Sequence, residues 1–149
     1  MGSVEIEQVT EVEAEDLRGL YASVGWEAYA ADPAALARAI ANSSCVFVAR
    51  SSGQLIGLAR GLTDDVSVFY LQDILVRPDW QHQGIGKEML ARCLQRYAHV
   101  RQKVLLTDDL PAQHRFYEAM GYHDTQRLNR VKLHTFVQIE GLELDSGQT

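Results

Sequence analysis

Residues 45–76 hold three strand-like stretches joined only by short turns, and the third leads within a few residues into an amphipathic helix. The stretches are CVFVAR (45–50), QLIGLARGL (54–62) and SVFYLQDILV (67–76), separated by Ser-Ser-Gly and by a turn at Asp64 and Asp65. Parallel neighbours need a crossover of a dozen or more residues, so connections this short dictate an antiparallel meander. From Gly84 to Ala98 the period changes. Ile85, Met89, Leu90, Cys93, Leu94 and Tyr97 fall on one helical face, which must be buried against the sheet. A meander that feeds a helix excludes a simple doubly wound fold, where strands and helices alternate from the start.

The rest of the chain fits around this centre. VEIEQV (4–9) alternates like a half-buried strand. Leu17, Leu20, Tyr21 and Val24 make a helical face that Gly25 can end, and a turn with Trp26 follows. Asp32 and Pro33 read as an N-cap and first helical residue, opening a second helix through about Ala41. KVLLT (103–107) is a short buried strand, Pro111 opens a helix to Met120, and Gly121 caps it. VKLHTFVQI (131–139) is expected as a closing strand, and residues 140–149 as a frayed tail. The expectation is one α+β domain over residues 1–149 with its core in residues 4–139, ordered β-α-α-β-β-β-α-β-α-β.

Several function classes fall away. The longest apolar runs, such as CVFVA (45–49), are far short of the ~20 residues of a membrane span, so no membrane is expected. The N-terminus lacks the basic and apolar regions of a secretory signal, which makes a cytoplasmic location the default expectation. Gly2 does not begin a myristoylation motif, because position 6 is Ile6. Glu5, Glu7, Glu11, Glu13, Glu15 and Asp16 crowd the first sixteen residues of a chain with net charge −6, a balance that repels nucleic acid. Cys45 and Cys93 have no metal-ligand or redox-motif spacing and read as buried thiols. His82, His99, His114, His123 and His134 are scattered as well, so no metal is expected.

QHQGIGK (81–87) is the segment that carries chemistry. A P-loop would need glycine at 81 and Ser or Thr at 88, where Gln81 and Glu88 stand; a dinucleotide turn would need glycine at Met89. What does match is Q-x-x-G-x-G, through Gln81, Gly84 and Gly86. With HRFYEAMGY (114–122) downstream, it makes residues 4–139 resemble the GNAT superfamily of acyl-CoA-dependent N-acetyltransferases. The resemblance implies a mixed, mostly antiparallel twisted sheet of six to seven strands with about four helices. It also implies a CoA pyrophosphate held by the turn of Gln81, His82, Gln83, Gly84, Ile85, Gly86 and Lys87. Unpaired N–H groups at a helix start attract such an anion, and glycine lets the backbone approach it. The strand before the turn, at Ile74, Leu75 and Val76, would bind the cofactor through its backbone.

Acetyl transfer to an amine requires a proton acceptor for an ammonium that titrates near ~10.4, and a proton donor for the departing thiolate. The FYExxGY match places the family's tyrosine acid at Tyr117. Asp73, an acid inside an apolar stretch, is either the acceptor or substrate anchor, or else a structural hydrogen-bonding group. Tyr70 is a second relay candidate. Tyr21, Trp26 and Tyr29 fall near the acceptor cleft of the family, where they bind substrate or fill a helical core. Many members carry Asn seven residues before the tyrosine, whereas this chain has Leu110. The resulting expectation is acetyl transfer from acetyl-CoA to a small-molecule primary amine in a ternary complex. Its rivals are acetylation of a protein N-terminus or lysine, and a non-catalytic acyl-CoA sensor. A homodimer is compatible with the resemblance.

Overall fold

A computed structural model describes residues 2–144. The chain divides into two compact units, Met1–Asp109 and Leu110–Thr149. The first holds one sheet of five strands in the order β1-β2-β3-β4-β5. These are Glu5–Gln8, Cys45–Ser51, Gln54–Thr63, Val68–Val76 and Gln102–Leu105. The first four pair antiparallel in sequence order, and β5 joins β4 in parallel. This is the meander that the short turns require, with one parallel strand after the helical crossover.

Helices α1 (Ala14–Ser23), α2 (Glu27–Ala30) and α3 (Pro33–Ala41) precede the meander, and α4 (Ile85–Arg96) follows it. Asp32 caps α3 as expected, its carboxylate accepting the Ala35 N–H at 3.1 Å. On one side of the sheet Leu17, Leu20, Tyr21, Leu36 and Ile40 pack with Val46, Val48, Leu58 and Leu75 into a buried cluster. On the other, α4 buries Ile85, Met89, Leu90 and Cys93. Gly57 is small for this reason: a Cβ there would lie 3.1 Å from the Met89 side chain.

β4 serves both layers because its register slips once. Arg60 faces Asp73 but Gly61 faces Leu71, so Gln72 is an extra residue, a β-bulge. Before the bulge Phe69 turns to the α4 layer, where it stacks on Tyr97 at 5.4 Å. After it, Asp73 and Leu75 turn to the α1 layer. Strict alternation would have put all of these on one side.

The second unit contains α5 (Pro111–Ala119), with Gly121 at φ 93° just beyond it and a 3₁₀ turn at Thr125–Arg127. Here one expectation is corrected. Residues 131–139 form no strand, and Val131, Leu133, Val137, Ile139 and Phe136 (93% accessible) are exposed. Alternation marks a segment able to pair, not one that does, and these side chains are left exposed instead of packed. The sheet therefore has five strands rather than six or seven. Of the expected frayed tail, residues 145–149 lie outside the described residues. No described helix is long and apolar enough to cross a membrane.

Candidate active site

The turn between β4 and α4 is built to leave donors open. Pro78–Trp80 forms a 3₁₀ turn fastened by Arg77, whose N–H donates to the Ile56 carbonyl at 2.8 Å and whose Nε donates to that of Leu55 at 2.8 Å. Gln81 Nε2 donates to the Val76 carbonyl at 2.9 Å, tying the turn back onto the strand end. His82 and Gly84 take left-handed backbone angles, φ 63° and 84°. Gly84 is the residue before α4, and no side chain caps the helix there. The first-turn N–H groups and the positive end of the helix dipole thus face outward from an exposed loop, anchored below by buried Ile85. No Cβ contact lies within 4 Å at Gly84, so the glycine answers a backbone need. A cleft of about 280 Å³ adjoins the turn at Gln83–Ile85. Its charged lining, Glu88 and Arg92, is already paired at 3.1 Å and adds no free cation for a phosphate.

β4 is open beside this turn. Its ladder with β5 runs from Val68↔Gln102 to Leu71↔Leu105 and stops. From the bulge onward, the edge carrying Ile74, Leu75 and Val76 has no β5 partner. Their side chains do ordinary packing, Leu75 buried and the others half-buried. An uncapped helix start next to an unpaired strand edge fits an extended ligand that ends in phosphates.

Asp73 lies below this edge, 4% exposed. Its Oδ2 accepts Arg60 Nε at 2.6 Å and the Tyr21 hydroxyl at 2.9 Å. Arg60, 7% exposed, also donates to Ser43 Oγ at 3.3 Å. Burial opposes the Arg60 charge, but Asp73 beside it leaves the guanidinium above its ordinary pKa. Asp73 is thus engaged in a buried hydrogen-bonded pair. Its partners are a strand arginine and a helix tyrosine. Sequence reasoning passed over Arg60; the available signal was a lone basic residue in LARGL opposite a lone acid in LQDIL.

Tyr21, Trp26 and Tyr29 do come together, with ring centroids 5.3 to 6.0 Å apart. Tyr21 is wholly buried, whereas Trp26 and Tyr29 are part-exposed. The Tyr29 hydroxyl accepts Gln72 Nε2 at 3.4 Å, so the bulge residue, also missed from sequence, reaches the aromatic group. Burial first, then Tyr29 and Asp73 nearby, push the Tyr70 hydroxyl above its ordinary pKa. Among the described residues no group of His, Cys, Asp or Glu is arranged to hold a metal.

In the second unit Tyr117 is buried on α5, its ring 5.1 Å from Phe116 and 6.0 Å from Tyr122. Leu110 occupies the N-cap position of α5 without a side-chain cap.

The model of the acetyltransferase (GNAT) domain matches residues 42–124, more than half of the chain. The chain belongs to the GNAT acetyltransferases. Its fold agrees with that of the GNAT family protein SP0256 from Streptococcus pneumoniae, at TM-score 0.76 and 26% identity, covering 92% of this chain and all of that one. The aminoglycoside N-acetyltransferase AAC(6')-Iy, solved with CoA, shares the fold at TM-score 0.63 and 21% identity over 91% of this chain and 97% of its own. A Gibberella zeae relative whose name assigns it provisionally to the acetyltransferases is 34% identical over 89 residues, 58% of this chain and 49% of the relative. This GNAT chain thus spans about half the length of that relative.

Proposed function

We propose that this GNAT chain transfers an acetyl group from acetyl-CoA to a primary amine of a small molecule, both bound at once. The observation that supports it most is the juxtaposition of an uncapped α4 start at Gly84 with the β4 edge that β5 leaves unpaired after Leu71. The turn from Gln81 to Lys87 would hold the pyrophosphate through backbone N–H groups, and Ile74–Val76 would hold the pantetheine arm through theirs. When bound, acetyl-CoA supplies an activated thioester. On the likeness of FYEAMGY to the family's segment, Tyr117 would serve as the acid for the leaving thiolate. Tyr70 and Gln72 supply polar groups at the acceptor side, with Trp26 and Tyr29 providing aromatic surface for the amine. Asp73 acts through Arg60 and Tyr21 as a positioning residue, and water carries the amine proton away.

The test is calorimetric titration of CoA and acetyl-CoA, followed by thiol release with a panel of primary amines. Binding with amine-dependent release supports the reading. Binding without release from any amine or peptide would make the chain an acyl-CoA sensor, and release with lysine or N-terminal peptides alone would make it a protein acetyltransferase.

A further inference from the structure

Cys45 and Cys93 stand 48 residues apart in sequence, yet their sulfurs meet at 3.8 Å in the buried layer between β2 and α4. They are the only two cysteines of the chain, so neither has an intramolecular competitor. A disulfide bond measures about 2.04 Å, so each sulfur has about 1 Å to travel. We propose that Cys45 and Cys93 are a modification site, oxidised to an intramolecular disulfide by a hydroperoxide.

The surroundings favour one direction of attack. Cys93 hydrogen-bonds to Cys45 and draws its thiol below the usual pKa against the effect of burial, with Tyr97 and Arg96 adding to the pull. Cys93 is pushed up, chiefly by Cys45 and then by burial. Of the two thiols, Cys45 is the one with Tyr97 and Arg96 beside it to support a thiolate, and it is taken as the first to react. Access is governed by Tyr97, which is 5% exposed, caps the C-terminus of α4 and donates its hydroxyl to the Ser44 carbonyl at 3.3 Å. Helix ends open more readily than helix centres, and Ser44, next to Cys45, is exposed.

The chemistry balances. The Cys45 thiolate attacks the peroxide, an S–O bond forms as the O–O bond breaks, and the departing oxygen takes a proton; sulfur loses two electrons and the peroxide gains them. The Cys93 sulfur then attacks the sulfenic acid, the S–S bond forms, the S–O bond breaks, and water leaves with the Cys93 proton. Two thiols and one hydrogen peroxide become one disulfide and two waters.

The full chain is incubated with hydrogen peroxide under native conditions, then alkylated under denaturation and weighed intact. The proposal expects a monomer lighter by two hydrogens, blocked to alkylation, containing a Cys45–Cys93 cross-linked peptide and melting higher, with all changes reversed by dithiothreitol. Cys45→Ala and Cys93→Ala, each checked by circular dichroism, should lose the link, and Tyr97→Phe should form it faster. The proposal is overturned by added oxygen without a cross-link, by intermolecular dimers alone, or by a link that appears only after denaturant unfolds the wild type. The wild-type arms stand even where a variant fails to fold.

Discussion

Arg60 and Asp73 oppose each other across the β3–β4 ladder, Nε to Oδ2 at 2.6 Å, with side chains 8% and 3% exposed. Removing one partner of a buried pair strands the other's charge, at a cost of about 3–5 kcal/mol. Arg60→Met and Asp73→Leu alone should each lower the urea midpoint by that equivalent. The Arg60→Met/Asp73→Leu double variant should recover most of it. A double variant as unstable as the sum of the singles would show that the two residues are not energetically paired.

Coenzyme binding should depend on charge at position 84. Gly84 has open space where a Cβ would stand and a left-handed φ of 84°, a conformation that Asn and Asp tolerate better than other residues. Gly84→Asn should therefore fold and keep most CoA affinity. Gly84→Asp, of the same size, should weaken CoA by about tenfold or more, because its carboxylate meets the pyrophosphate. Equal affinities by calorimetry would remove the turn from the binding site.

Tyr117→Phe separates chemistry from binding. Loss of a general acid typically costs about 10²–10⁴ in turnover. Once an amine substrate is in hand, kcat should fall in that range while CoA affinity changes by less than about twofold. An unchanged kcat would leave Tyr117 as a packing residue of α5.

Alkaline stability should follow the buried phenol. Burial, then Asp73, hold the Tyr21 hydroxyl well above its ordinary pKa, so above about pH 10 the unfolded chain gives up a proton that the native state keeps. The native state then binds more protons than the unfolded one, and stability falls as pH rises. Urea unfolding should show full stability below about pH 10 and a declining midpoint above it. The decline should be shallower in Tyr21→Phe, with a residual slope from Tyr70 and Tyr97, which shift the same way.

Gly61 should resist even alanine. An added Cβ would fall 2.5 Å from the Phe69 ring and 2.9 Å from the Tyr70 carbonyl, so Gly61→Ala should lose about 1–3 kcal/mol by overpacking. A midpoint equal to wild type would show that the ring moves freely.

What could be read from sequence follows from the range of the forces involved. Short turns fixed β2 to β4, and local patterns located α1, α3, α4 and α5 within a few residues. The acidic N-cap at Asp32 and the glycine-bearing entry to α4 were equally local. The four-residue α2 carries too few turns to show a period. The closing strand failed for the opposite reason: VKLHTFVQI has the alternation, but alternation states only what a segment could do beside a partner. Asp73 was conspicuous as a charge among apolar neighbours. Its actual partners, Arg60 and Tyr21, lie 13 and 52 residues away, and the bulge between Arg60 and Gly61 hides the register that would have aligned the pair. The aromatic group was legible as a set, but not its division into one sealed ring and two part-exposed ones.

The bulge at Gln72 also makes chain length at this point matter as much as chemistry. Along β4 each residue's address is its parity, and one supernumerary residue resets the count. Deleting Gln72 would leave Tyr70 and Asp73 two positions apart, in the same phase, with Gly61 still opposite Leu71 and Arg60 still opposite Asp73 in a now regular ladder. The loss would be the bend of the bulge and the Gln72 contact to the Tyr29 hydroxyl.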